Sequence, residues 1–353
     1  MACVVTRRSV LTAAVSGAAL GMAAGAPRAL AAGGSGTAVY PVAVPSYMSM
    51  YIADTQGFFQ DEGFDFKLIQ GGSGAKTREI LAARQADFAL EDILHALRLI
   101  TKRRPARVLS TVDTRSPSQI VVIRKDLYDE GIDTIQKAAA WTRPGGAKPI
   151  FGVSSLGGTS HMWATFFMEH FGVAENFVWI GVGNVNGMLG ALKSKQIDIL
   201  ETTRSVSTEA EKQGWGKVIY SGSDEKNWND VVGGNVPVNA HIVLVDTIKN
   251  HPEKVQAYVN ATYRAGLWIK QHSPEEIYDS IKRYVGGTSP ESNMIEIEAI
   301  KSVADYDGTI DTASYARGGK CWYRPDTGIK PVPLETVVES SFLAKARAKY
   351  SAG

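Results

Sequence analysis

Apolar and polar positions along this chain fall into short blocks that recur in one order. Residues 64–69 read Phe-Asp-Phe-Lys-Leu-Ile, the alternation of a half-buried strand. The preceding block, 48–60, has helical spacing and stops at Gly63, where glycine suits a left-handed C-terminal cap. Gly71, Gly72, Ser73 and Gly74 then make a loop. A second helix follows, with Ile80, Leu81 and Ala83 apolar and Arg78, Glu79 and Arg84 polar. Residues 86–90 close the unit as a short buried strand, with Glu91 and Asp92 at its carboxyl end. Helix, strand, glycine loop, helix and strand form a right-handed crossover unit. Ligands of open α/β sheets bind beyond the carboxyl ends of the strands. Gly72, Ser73, Glu91 and Asp92 are therefore expected at a binding mouth.

The flanking blocks extend this pattern. Residues 37–44 predict a first strand, although Pro41 and Pro45 cannot donate to a ladder. Ser46 and Tyr47 then reach the same mouth, where Tyr47 can stack on or hydrogen-bond a ligand. Residues 92–104 predict a helix with Ile93, Leu97 and Ile100 on its buried face and a solvated Lys102-Arg103-Arg104 end. His95 is read as facing solvent or a neighbouring side chain. A strand at 108–112 leads to Arg115, a candidate ligand clamp. The Gln-Ile-Val-Val-Ile run at 119–123 is expected to be the first crossing to a second lobe.

That lobe repeats the scheme. A strand at 150–153 enters a glycine-rich turn, Ser154 to His161, before a helix at 162–171. Unpaired N–H groups and the helix dipole favour an anionic group there. Gly158, Thr159, Ser160 and His161 are the candidates; no Gly-Lys-Ser/Thr follows, so this is not a P-loop. A strand at 177–182 places Asn184 and Asn186 in a mouth loop. The string ALKSKQIDIL (191–200) echoes ILAARQADFAL (80–90), and Glu201 and Arg204 follow it as Glu91 and Asp92 follow the first copy. Residues 218–220 and 241–245 bracket a return crossing, where Asn235 or Asn239 can reach the ligand. Helices at 253–271 and from Ser273 cover the first lobe. Residues 306–333 are read as irregular, with Trp322 and Tyr323 covering core, before a last helix at 334–349.

The run YIADTQGFFQDEGFDFKLI, the following GG and ILAARQADFAL together resemble the opening of solute-binding proteins of the sulfonate/nitrate/taurine and thiamine-pyrimidine-precursor group. The resemblance implies an α/β, type II periplasmic binding protein fold with a two-crossing hinge. Lobe 1 is then 32–123 with 206–353, and lobe 2 is 124–205. It also implies a monomer that serves an ABC permease and ATPase in the inner membrane. Gln85 stands where that group usually has glycine, and residues 141–149 replace its usual DLKGK with a longer loop. A mouth carrying Glu91, Asp92 and Glu201 against Arg115, Arg204 and the turn's donors suits a sulfonate, a carboxylate or a zwitterion such as taurine. Plain nitrate suits it less, and an amino-pyrimidine also fits. The rival reading is an enzyme on the same fold, resembling pyrimidine-precursor synthases. Their cysteine-rich motif is absent here.

Residues 1–31 read as an export signal. Thr6-Arg7-Arg8-Ser9-Val10-Leu11-Thr12 resembles a twin-arginine motif, and Ala29-Leu30-Ala31 a cleavage site. Val10 and Thr12 depart from the usual aromatic and lysine, which leaves the Sec route open. No cysteine occupies a lipobox position, so the expectation is a soluble periplasmic protein. Of 38 basic residues the signal holds Arg7, Arg8 and Arg28, leaving 35 against 36 acidic ones and a formal charge of −1. That balance lacks the basic footprint of a nucleic-acid binder. Cys321 is then the lone cysteine, which rules out an internal disulfide and a thiolate-rich zinc site. The sequence contains no HExxH, GxSxG or GxGxxG after a strand. The 6 histidines are scattered singly, and no nucleophile is paired with a base. No metal or cofactor is expected.

Overall fold

The computed structural model describes residues 33–350, so the expected signal at 1–31 lies outside the described part. Strands β1 (Gly34–Tyr40), β2 (Phe64–Gln70), β3 (Phe88–Asp92) and β4 (Ala106–Thr111) build the first sheet. Strands β5 (Ile120–Arg124), β6 (Ile150–Val153), β7 (Val178–Gly181), β8 (Ile199–Thr202) and β9 (Gly216–Ser221) build the second, and β10 (Asn239–Leu244) returns to the first. The orders are β2-β1-β3-β10-β4 and β7-β6-β8-β5-β9. In each sheet the three strands on one side are parallel, and the inserted strand runs antiparallel to both neighbours. The two echoing strings end in β3 and β8, the third strand across each sheet. Arg84 and Lys195, at matching places in the echo, both take left-handed φ values of 58° and 60° as they end their helices.

The crossings differ from their expected places. Residues 120–123 are paired on both sides, with β8 and β9, and each is at most 2% exposed. Such a run is a central strand of the second sheet rather than a connector. The chain crosses before it, at 112–119, and returns at 222–238 after β9. The lobe boundaries expected at 123 and 205 move accordingly, to before β5 and after β9.

Local chemistry accounts for other differences. The block at 48–60 breaks into Met48–Thr55 and Phe58–Asp61, because Gly57 adopts φ 72° between them. β1 stops at Tyr40, before the proline that cannot continue a ladder. The stretch read as irregular contains a helix, Thr312–Trp322, started by Asp311, whose carboxylate accepts from the N–H groups of Ala313 and Ser314 at 2.8 and 2.9 Å. Trp322 is fully buried there. The expected last helix is split into Leu334–Val337 and Ser341–Tyr350.

Polar contacts join the lobes around the mouth. Trp163 Nε1 of the second lobe donates to Asp92 Oδ2 of the first at 2.9 Å. Glu296, on the first-lobe helix Pro290–Val303, accepts from the Ser205 N–H at 2.8 Å. The carboxylate of Glu209 accepts from the Ser289 N–H and the Ser292 hydroxyl at 2.9 and 3.0 Å. One apolar cluster runs through both lobes, with Trp163, Trp228 and Trp322 among its members. Among the described residues no helix is long and apolar enough to cross a membrane.

Candidate functional site

The carboxyl ends of the two sheets face each other across a cleft of about 660 Å³. Its first-lobe wall is the loop after β1, with Ser46 and Tyr47, then Gly74 and the end of β3 at Asp92. Its second-lobe wall is Ser154, Thr159 and Ser160 of the glycine-rich turn, with Glu201, Thr202 and Thr203 at the end of β8. The crossings close it with Gln119 and Asn239.

Six of the predicted residues therefore meet in one place: Ser46, Tyr47, Asp92, Thr159, Ser160 and Glu201. The rest do not line it. Ser73 caps the Gly74–Ala82 helix through the Lys76 N–H, and Gly72 bonds back to Pro41, so the residue that reaches the cleft is Gly74. Glu91, the strand residue before Asp92, does not line the cleft and is buried next to His95. Gly158 begins the Thr159–His170 helix, and His161 Nδ1 accepts from the Gly157 N–H behind the turn. Asn184 caps the Val185–Lys193 helix, and Asn186 packs beside Gly287. Arg115 and Arg204 lie together in a different hollow. Asn235 is exposed and offers its carbonyl to Arg317, while Asn239 takes the cleft position.

Sequence reasoning missed Gln119 and the threonines that follow Glu201. Gln119 is the more informative. It holds a left-handed φ of 71°, rare for a side-chain-bearing residue. Its Nε2 donates to Ser116 at 3.2 Å, and its buried Oε1 has no donor. The signal available in the sequence was its position, a polar residue immediately ahead of the apolar run Ile120–Ile123.

The electrostatics of the cleft are one-sided. Glu201 is 3% exposed, its Oε2 has no hydrogen-bond partner, and burial pushes its pKa up to about 8. Burial also lifts Asp92 to about 7, although it accepts from the Leu94 N–H and from Trp163. Burial and the nearby acids Glu91, Glu296, Asp92 and Asp113 raise Tyr47. Among the described residues no Lys, Arg or His lines the cleft. Donors come from the turn. Its first N–H groups are taken, Gly157 by His161 and Gly158 by the Ser155 carbonyl, and the Ser154 N–H donates to Ser160 Oγ at 3.0 Å. The N–H groups of Thr159 and Ser160 have no acceptor among the described residues.

A buried group sits behind Thr159. Arg78 Nη1 lies 3.3 Å from His95 Nδ1, and His95 Nε2 lies 3.1 Å from Thr159 Oγ1. A guanidinium only donates, so Nδ1 accepts and Nε2 carries the hydrogen. That hydrogen goes to Thr159 Oγ1, which leaves the threonine hydroxyl hydrogen for the cleft. Burial, then Arg78 and Arg98, hold His95 neutral. Position 74 must be glycine, since a Cβ there would stand 2.7 Å from His95 Nε2. The sequence reading of His95 as facing a neighbour is met here, in full burial. Glu91 Oε2 lies 3.7 Å from the same ring, and neither Glu91 oxygen has a hydrogen-bond donor.

Two α/β lobes with two crossings and a cleft at the strand ends define the type II periplasmic binding protein fold. The chain belongs to the NMT1-like family, whose model matches residues 42–283. It is 23% identical over 262 residues to YtlA of Bacillus subtilis (strain 168), covering 74% of this chain and 73% of YtlA. A protein of Bordetella bronchiseptica RB50 superposes with a TM-score of 0.78 at 24% identity, covering 91% of this chain and 99% of that one. The periplasmic nitrate-binding protein NrtA from Synechocystis PCC 6803 gives 0.72 at 17%, covering 91% and 90%. The fold also carries chemistry: the desulfurization enzyme DszB superposes at 0.61 with 16% identity, covering 89% and 99%.

Proposed function

We propose that this protein is the solute-binding component of an ABC import system, and that its solute presents N–H donors to Glu201. The unpartnered Glu201 carboxyl in the cleft carries this reading. A buried acid without a donor is costly, and a ligand ammonium, amino or ring N–H group removes that cost. Gln119 Oε1 offers a second acceptor without a donor in the same cleft. A bare anion such as nitrate gains no cation here and meets Asp92 and Glu201, so it is the poorest fit. The Thr159 and Ser160 N–H groups form an opposite pole. An amino-sulfonate or amino-carboxylate zwitterion engages both poles, and an amino-pyrimidine engages the acceptor pole. The lobes close around the solute by motion at the two crossings, and the closed unit is what a membrane permease and its ATPase receive. The cleft hydroxyls nearest a histidine or a carboxylate are held structurally, Thr159 by the hydrogen-bearing Nε2 of His95 and Ser46 by Glu296, which supports a reading of capture rather than turnover.

Thermal-shift measurement across taurine, an amino-pyrimidine, an alkanesulfonate and nitrate tests this. Stabilisation by an N–H-bearing solute, lost in Glu201→Leu, is the expected result. Stabilisation by nitrate or the plain sulfonate, unchanged in that variant, overturns it.

A further inference from the structure

The two arginines that sequence patterning assigned to the solute meet elsewhere. Arg115, in the first crossing, and Arg204, the first residue of the second-lobe helix Arg204–Lys212, line a hollow of about 520 Å³ open to solvent. Ala299, Ser302 and Val303 of the first-lobe helix Pro290–Val303 form its other wall. Thr114 holds the crossing against that wall, its N–H donating to the Val303 carbonyl at 2.8 Å. Both guanidiniums converge on Ser223: Arg115 Nη1 donates to its carbonyl, and Arg204 Nη2 to its hydroxyl at 2.8 Å. Arg204 also donates to Ser221 Oγ at 3.1 Å.

Their charge is poorly compensated. Arg204 forms no ion pair among the described residues. The carboxylate nearest Arg115 is Glu225 at 3.9 Å, on a side chain 76% exposed, while Arg115 itself is 14% exposed. Asp224 is exposed as well. Such carboxylates are screened by water and salt, whereas two half-buried forks beside a hydroxyl suit the flat faces and multiple acceptors of an oxyanion.

We propose that this hollow is a second binding site, distinct from the solute cleft, for a small inorganic oxyanion such as sulfate or phosphate. The anion bridges Arg115 and Arg204. It thereby ties the first crossing, which is pinned to the first lobe, to the second lobe. It adds a cross-link on the hinge side of the molecule, and so favours the lobe arrangement described above whatever occupies the cleft.

The test is thermal unfolding of the full chain in millimolar sodium sulfate or phosphate, against sodium chloride at matched ionic strength. Occupancy near saturation should raise the melting temperature by ~2–4 °C beyond the chloride control. Arg204→Gln and Arg115→Gln should each remove the increment, and Glu225→Gln, which frees Arg115, should enlarge it. Ser302→Asp puts a carboxylate at the hollow's rim, so it should raise the melting temperature without sulfate and blunt the response to it. This variant keeps the test open should an arginine variant fold poorly. Glu201→Leu should retain the full increment, which separates this site from the cleft. An increment equal to that of chloride, or one that survives both arginine variants, overturns the proposal. So does an increment that disappears in Glu201→Leu.

Discussion

Glu201 is held inside the cleft in the state that suits an empty site. Its pKa rises from 4.5 to about 8 on folding, through burial. Asp92 and Asp113 rise from 3.8 to about 7 for the same reason. Between the lower and upper values the folded chain binds more protons than the unfolded one, so stability falls as pH rises through this window. His241, depressed to about 3 by burial, acts oppositely, as do His95 and His161, both lowered by burial, and the effect fades over about one pH unit above 6.5 as the unfolded imidazole loses its proton. The acids prevail as it fades and act alone above it. The solute-free protein should therefore lose melting temperature from pH 6.5 to 8, and Glu201→Gln should flatten part of that slope. A slope unchanged in the variant would mean that Glu201 ionises in the fold as it does in water. An amine bound at Glu201 reverses the preference, so its affinity should rise over the same interval, readable by calorimetry. His95 belongs to this scale too. His95→Leu withdraws the donor that orients Thr159 and leaves the Arg78 fork facing apolar surface. Solute affinity should fall by ~1–3 kcal/mol, and the same loss should appear in Thr159→Val without adding in the double variant. Additive losses would show that the two side chains act separately.

Elements were legible where periodicity was long and local. The strands of the crossover unit and the two echoing strings stand where the pattern put them, while the helix after the glycine-rich turn begins at Thr159 instead of 162 and the first helix is broken at Gly57. The boundaries that moved did so for reasons outside the pattern. An apolar run such as 120–123 has the same sequence whether it connects lobes or sits between two strands, and only its pairing decides. The helix Thr312–Trp322 was hidden because Gly318 and Gly319 weaken its pattern. Tertiary packing overrides this: a Cβ at 318 would run into the Trp322 ring, so glycine lets the buried indole fold back on its own helix. Asp311 is what starts it. Asp311→Ala should cost ~1 kcal/mol, a fall of ~1–2 °C in melting temperature for a chain of this size. No change would show that packing alone holds the helix. The site was legible by the same logic. Residues at the ends of β3 and β8 and in the turn reached the cleft, because strand order puts them there. Arg115 and Arg204 did not, since nothing in a sequence states toward which side a long side chain turns from a crossing or from the first turn of a helix.

Across the whole molecule the cleft exists only because two sheets, each complete in itself, are brought face to face by contacts remote from one another in sequence. Glu296 is the most economical of these. Its Oε1 accepts from Ser46 at 2.8 Å, in the cleft loop of the first lobe, and its Oε2 accepts from the Ser205 N–H at 2.8 Å, just beyond the Glu201 strand of the second. One carboxylate thus reads both walls and is satisfied only when they approach. Charge-assisted hydrogen bonds of this kind contribute ~1.5–3 kcal/mol, enough to change the ratio of closed to open molecules ~10- to 150-fold. Glu296→Leu removes both bonds at a buried position that does not itself line the cleft, although it releases the Ser46 hydroxyl there. The solute-free variant should show a larger radius of gyration by small-angle scattering, and weaker solute binding in proportion to its lost closed population. Its melting temperature would fall less than a core truncation costs, because the apolar clusters, including the one confined to the first lobe, lose no side chain. If scattering from the variant matches that of the parent chain, closure is set by the shared tryptophan cluster instead, and Trp163→Ala becomes the substitution that opens the molecule.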